Sequence, residues 1–393
     1  MFKFKKDAVL FLTGNFLLGF GFAGFRLLFN LYLKEIGFKE AKIGLLLASM
    51  TYATMVMIFP AAFFVRKIKL RPLFAGVVIF SAIGYLIPVI SQKFSQMLSG
   101  IIIAGFFSAF FSVISGPFIM QASTPRERTH LFSMSFAVSL MAGIFGNVLA
   151  GNIPVIFLKS GIKLVTGYRT AIIIHIFISL LSLIPFMIIR EERLVEKGNL
   201  GNFFHIETSK ILIFKLSIPH ILVGLGAGLT VPFLNLYFRD RFLLDSAKIG
   251  YLFSFSQIMM ITGTLLAPFI SKIFGKIKTV IISQILSVPF LFILSITYNL
   301  PLAAISFLLR ATLMNMAQPL VMNFSLEIVK KNDRPFVSGI LNMAWLSAWG
   351  VSANLGGKII EMKGYFIPFN LTLMAYIISS ILYALLLLPI EKK

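Results

Sequence analysis

GFGFAGFRLLFNLY, Gly19–Tyr32, returns 205 residues later as GLGAGLTVPFLNLY, Gly224–Tyr237. Gly19, Gly21, Asn30, Leu31 and Tyr32 are answered by Gly224, Gly226, Asn235, Leu236 and Tyr237. One inserted residue further, Ala41-Lys42-Ile43-Gly44 recurs as Ala247-Lys248-Ile249-Gly250. Arg128 matches Arg334 and Gly151 matches Gly357, both at an offset of 206, while Pro117 and Pro319 correspond at 202. A period of half the chain reads as one structural unit used twice.

The surroundings of each copy say what that unit is made of. Twelve apolar stretches alternate with short loops: Val9–Leu33, Ile43–Val65, Pro72–Ser91, Met97–Ala122, Leu131–Leu158, Thr170–Ile189, Ile218–Phe238, Ile249–Ile270, Val280–Tyr298, Pro301–Ser325, Val337–Ile360 and Ile367–Ile390. A hydrocarbon core of about 30 Å takes about 20 apolar residues per helix, since lipid offers backbone amides no partner outside their own helix. The predicted fold is therefore an all-α integral membrane protein with 12 transmembrane helices. Its two six-helix bundles have the same orientation, related by a pseudo-two-fold axis along the membrane normal. The bundles occupy residues 1–190 and 211–393, joined by a linker at 191–210. The first stretch is too long for a signal-peptide core and lacks a small-residue cleavage site, so it is expected to remain as a span.

Composition narrows the function. A hydrophobic share of 58% and a mean hydropathy of +0.93 exclude an ordinary soluble domain. The net charge of +22 is spread over many short loops, with no arginine-rich arm or RNA-binding aromatic box, which argues against nucleic acid. The absence of cysteine removes disulfides, thiol catalysis and cysteine metal sites. Of 36 basic residues, 22 fall on the side of the termini and 12 on the other, which predicts cytoplasmic termini in a plasma (inner) membrane.

Two loops carry a further signal. They read Val65-Arg66-Lys67-Ile68-Lys69-Leu70-Arg71 after span two and Ser271-Lys272-Ile273-Phe274-Gly275-Lys276-Ile277-Lys278 after span eight. With the 6+6 topology and the tether, they resemble the major facilitator superfamily over essentially the whole chain. The family's loop signature has an Asp-Arg pair; here Val65 and Ser271 stand at the Asp. The resemblance implies conformational roles for Arg66, Lys67, Arg71, Lys272, Gly275 and Lys276, without the latch that the Asp provides. Gly146-Asn147-Val148-Leu149-Ala150-Gly151 in span five is similar to the Gly-Pro-x-x-Gly-Gly string of the family's exporters, with Asn147 at the Pro. Span eleven has Gly356 and Gly357 in the matching place. Gly146, Asn147, Gly151, Gly356 and Gly357 are read either as that exporter string or as plain helix packing. Asn147 and Asn354 read as interhelical hydrogen-bond partners.

Polar residues at membrane depth supply the candidate substrate contacts. All 14 acidic residues lie in loops or at span ends, so proton coupling lacks a buried carboxylate. Arg26 and Arg310 do lie at depth. Each costs about 2.5–3.5 kcal/mol if left in lipid, so both are expected to face protein or water. In the resembled fold, spans one, four, seven and ten line the cavity. Arg26, Asn30, Asn235, Arg310, Asn315 and Gln318 are then candidate substrate contacts, with helix locking as the alternative for the arginines. Trp345 and Trp349 share one stripe of span eleven, with Trp345 about 12 Å inside the helix. They read as an aromatic wall or as core packing. No metal ligand set or cofactor motif is present.

Transporters with parallel repeats hold substrate at the repeat interface and rock around it. The expectation is a secondary active transporter of a small organic solute, by alternating access, with efflux favoured. An importer of an organic anion and a lipid or lipid-linked sugar flippase are the alternatives on the same fold. The solute is anionic or amphipathic in this reading, and the coupling ion, proton or sodium, is open. A monomer among membrane lipids is expected. A polytopic enzyme is disfavoured because the histidines are dispersed and no carboxylates cluster.

Overall fold

The computed structural model describes residues 5–91, 93–124, 127–190, 207–330 and 333–391. Every regular element among them is helical, and twelve helices are long and apolar enough to cross a membrane. They are α1 (Lys6–Glu35), α2 (Glu40–Val65), α3 (Leu70–Ile90), α4 (Phe94–Ala122), α5 (His130–Lys159) and α6 (Leu164–Ile188), followed by α7 (Lys210–Phe242), α8 (Ser246–Phe274), α9 (Lys276–Ile296), α10 (Leu300–Ile328), α11 (Phe336–Lys363) and α12 (Phe366–Glu391). The protein is a multi-pass membrane protein. The expected linker lies almost wholly outside the described residues.

Two helices begin well before their expected first residues. α7 begins at Lys210 rather than Ile218, because Ile211, Leu212, Ile213 and Phe214 extend its apolar run and carry Lys210 and Lys215 into the helix. It then tightens into a 3-10 turn at Val231–Phe233, where Pro232 has no N–H to continue the α pattern. α6 begins at Leu164 rather than Thr170, which brings Arg169 from the outer loop into the helix.

The chain divides into two compact units. Unit 1 is Met1–Phe38, Ser49–Gly198 and Leu243–Ser254; unit 2 is Lys39–Ala48, Asn199–Phe242 and Phe255–Lys393. The first turns of α2 thus belong to unit 2, and the first turns of α8 belong to unit 1. Inside unit 1, α1 packs on α5 and α6, and α3 on α4 and α6; inside unit 2, α7 packs on α11 and α12, and α9 on α10 and α12.

Small residues allow these crossings, since association within lipid depends on close packing rather than on expelling water. A methyl group on Gly19 would sit 3.2 Å from Cβ of Ala142, and one on Gly224 would sit 3.1 Å from Cβ of Ala348. The core of unit 1 is aromatic: Phe74 stacks on Phe186 at 4.3 Å, and Phe11 on Phe118 at 4.7 Å. Unit 2 fills its core with Leu216, Ile277, Val280, Phe324 and Tyr383.

Candidate functional site

Each repeat places its tyrosine identically. The Tyr32 hydroxyl donates to the Val89 carbonyl at 3.0 Å, and the Tyr237 hydroxyl to the Leu294 carbonyl at 2.7 Å, each 57 residues further along. A guanidinium braces both. Arg169 Nε donates to the Tyr32 hydroxyl at 3.1 Å, whereas Arg241 donates to the Ser295 carbonyl at 3.0 Å and lies over the Tyr298 ring. Asn30 and Asn235, two helical positions before these tyrosines, are buried within their units. The Asn235 Oδ1 accepts from the Leu236 N–H at 2.9 Å.

The glycines of the second repeat motif are packed backbone to backbone. In unit 2, a methyl group on Gly44 would lie 2.7 Å from the Ala353 carbonyl oxygen, and one on Gly357 would collide with the Glu40 carbonyl. In unit 1, a methyl on Gly250 would lie 2.5 Å from the Asn147 carbonyl oxygen, and one on Gly151 would collide with the Ser246 carbonyl. Gly146 and Gly356 have the same role against the Phe20 and Leu229 carbonyls. Polar bonds fasten these contacts. In unit 2, Glu361 accepts from the Ala41 N–H at 3.1 Å and pairs with Lys39 at 3.8 Å. In unit 1, Ser246 donates to the Gly151 carbonyl, Ser254 to the Ile144 carbonyl and Tyr251 to Asn152 Oδ1.

The two deep arginines have unlike surroundings. Arg310 is only 5% exposed, and its guanidinium donates to the Tyr376 hydroxyl of α12 at 2.6 Å. It is held inside unit 2 because a phenol from a neighbouring helix supplies the partner that lipid cannot; its Nε has no hydrogen-bond partner among the described residues. Arg26 is exposed and makes no hydrogen bond or ion pair with a described residue. Asn315 donates to the Ala311 carbonyl of its own helix at 2.8 Å, while Gln318 is exposed. Trp345 and Trp349 are half-buried with ring centroids 4.8 Å apart, and their backbones press on Gly224 and Gly228 of α7.

The loop-motif residues make contacts within their own units. Arg71 donates to the Ile189 carbonyl at 2.8 Å. Lys67 lies over the Phe63 ring and Lys272 over the Phe269 ring. The Arg66 side chain is outside the described residues. Gly275 has φ +88°, a left-handed turn that suits glycine, and α9 starts immediately after it. The Glu391 carboxylate caps that start, accepting from the Lys276 N–H at 2.5 Å and the Ile277 N–H at 3.0 Å. Lys276 Nζ pairs with Glu327 at 2.5 Å and donates to Asn323 at 2.8 Å.

A repeated carboxylate stands before α5 and α11. Thr124 donates through its N–H and hydroxyl to Glu127, at 3.1 and 2.7 Å. Thr208 donates in the same way to Asp333, at 2.6 and 2.5 Å. These bonds favour the ionised forms, and both carboxyls are held below their ordinary values, chiefly by the threonine hydroxyls.

Reasoning from sequence missed an open cavity of about 290 Å³ in unit 1, lined by α1, α4 and α5. Asn15, 6% exposed, donates to Ser139 Oγ at 3.0 Å, Ser135 Oγ at 3.3 Å and the Ser135 carbonyl at 3.2 Å. Phe111, Phe132 and Phe136 provide the apolar walls. One sequence signal is the spacing of Ser135 and Ser139, one turn apart on the same face of α5. Among the described residues, no three of His, Asp or Glu approach closely enough to hold a metal.

Comparison with known proteins fits this architecture. The family model described as Major Facilitator Superfamily matches residues 11–216 and 216–393. The crystal structure of the nucleoside transporter NupG superposes with a TM-score of 0.76 at 15% identity, covering 98% of this chain and 100% of that one. The D-xylose-proton symporter gives 0.76 at 15% identity, covering 98% and 99%. An uncharacterized membrane protein of Saccharomyces cerevisiae, YJR124C, is 25% identical over 193 residues, which is 48% of this chain and 42% of that protein. The aligned part thus spans less than half the length of that relative. With the family model matching both repeats, the chain belongs to the Major Facilitator Superfamily.

Proposed function

We propose that the protein is a secondary active transporter, rather than an enzyme, that moves a small organic solute by alternating access, with efflux as its direction. The duplicated architecture carries this reading: one buried tyrosine-to-carbonyl bond and one glycine-backed contact occur in each repeat. A repeated unit within one membrane chain is a common transporter architecture, and rocking of one repeat against the other is how such chains alternate access. The similarity of Gly146–Gly151 to an exporter string supports outward transport. Both termini are assigned to the cytoplasm of a plasma (inner) membrane, on the bias of basic residues.

Proteoliposomes loaded on one side test this reading. Solute should exchange across the bilayer and accumulate when a pH or sodium gradient is imposed. Exchange without any response to either gradient would make the protein a facilitator, and no flux of any solute that binds would defeat the reading. Import of an organic anion has one specific observation in its favour: Arg26 keeps accessible surface at membrane depth and makes no hydrogen bond or ion pair with a described residue. Arg26→Gln should then weaken an anionic solute and leave a neutral one unaffected.

A further inference from the structure

We infer that the unit 1 cavity is a binding site for a neutral, ring-bearing solute with hydroxyl or amide groups, captured from the side of the termini. The inference rests on the transporter reading and names its substrate class. The first observation is a departure from the repeat. At the established offsets, Asn15 corresponds to His220, Gly116 to Gln318, Ser135 to Leu341 and Ser139 to Trp345. At all four places unit 2 has the larger side chain, and unit 1 has open space. The smaller side chains leave an open groove in unit 1, with room for an occupant beside its polar groups. Its 290 Å³ would hold roughly ten waters at about 30 Å³ each, the bulk of one small ring compound.

The second observation is the chemistry of the lining. None of the lining residues is charged. A solute charge placed there would lose hydration without gaining a partner, which selects against ions. Asn15 spends its amide N–H groups on Ser135 and Ser139, and its Oδ1 accepts from no described residue. The Ser135 hydroxyl accepts from Asn15 and donates to no described residue. Ser115 donates to the Phe111 carbonyl at 2.7 Å and keeps its lone pairs. The cavity therefore presents a fixed acceptor and a spare donor beside three phenylalanine rings. A hydroxyl or amide answers both polar groups, and a ring packs on the aromatic wall. The cavity lies in the turns of α1, α4 and α5 nearest the terminal side of the chain, the side from which an exporter loads.

Calorimetric titration of the purified full-length protein with two matched probes tests this. Phenyl β-D-glucoside is neutral, and phenyl β-D-glucuronide differs by a carboxylate. The glucoside should bind at least tenfold more tightly. Gly116→Leu fills the cavity from a position where a Cβ would meet nothing within 4 Å, so the fold is preserved. It should reduce glucoside affinity at least tenfold, with an unchanged or higher melting temperature. Gly339→Leu, at an equally open helical position in unit 2, should alter neither. Equal binding of both probes, no binding of either at millimolar concentration, or full affinity in Gly116→Leu would overturn the inference. Flux in proteoliposomes separates the two readings. Glucoside that binds in a Gly116-dependent way but never crosses the bilayer defeats transport and keeps the site. Glucoside that crosses undiminished in Gly116→Leu defeats the site and keeps transport.

Discussion

Gly357→Ala isolates the contact between α11 and the first turns of α2. In a helix interior, alanine is favoured over glycine by about 0.5–1 kcal/mol, so propensity alone predicts stabilisation. The local geometry opposes it. The new methyl would collide with the Glu40 carbonyl and lie 3.1 Å from the Gly44 Cα, and both obstacles are backbone. Overpacking of this kind costs about 1–3 kcal/mol. The balance is a loss of the order of 1–2 kcal/mol, which raises the opened-to-packed ratio about 5- to 30-fold. A chain without cysteine makes the assay clean. Ala48, fully buried and one turn beyond Gly44, becomes the sole thiol in Ala48→Cys. Its labelling by a water-soluble maleimide should accelerate about 5- to 30-fold when Gly357→Ala is added. Gly339→Ala, where a Cβ meets nothing within 4 Å, should leave the rate unchanged. An unaltered rate in Gly357→Ala would refute the argument that backbone contact holds these turns.

Other outcomes follow from single contacts. Tyr237→Phe strands the buried Leu294 carbonyl and should cost about 1–3 kcal/mol in thermal or denaturant unfolding, whereas Tyr298→Phe, 80% exposed, should be neutral. Tyr376→Phe leaves the Arg310 guanidinium buried without its partner and should lower the melting temperature while solute affinity stays constant; the reverse result would make Arg310 a substrate contact. Because Asp333 is held below its ordinary value, its contribution to stability is complete above about pH 4 and is lost as pH falls through the lower folded value. The melting gap between the parent and Asp333→Asn should therefore be present at neutral pH and close in acid, and a gap that survived strong acid would show that Thr208 does not favour the carboxylate.

The twelve spans were legible because lipid forces every span to satisfy its own backbone, which writes each helix into hydropathy alone. Span ends were less legible. Lys210 and Lys215 stand beside apolar neighbours on α7, and a long stem lets such residues join a helix while the ammonium reaches water. The depth of Arg310 was visible in sequence, but its partner was not, since Tyr376 lies 66 residues away on another helix. The cavity was hidden for the same reason: Asn15 meets serines 120 and 124 residues distant. Comparing the repeats position by position would have pointed to it, because Ser139 stands where the other copy has Trp345.

The duplicated tyrosines leave the two units with different mechanics. At Tyr32 a single hydroxyl joins three helices, accepting from Arg169 on α6 and donating to α3, so that corner is a tripod. At Tyr237 two bonds run side by side from α7 to α9, and Asp240 of α7 accepts from the Tyr365 hydroxyl beside α12 at 2.8 Å, so three helices meet there through separate bonds. Losing one hydroxyl therefore unties α1, α3 and α6 together in the first unit, whereas the second unit would lose its fastenings one at a time.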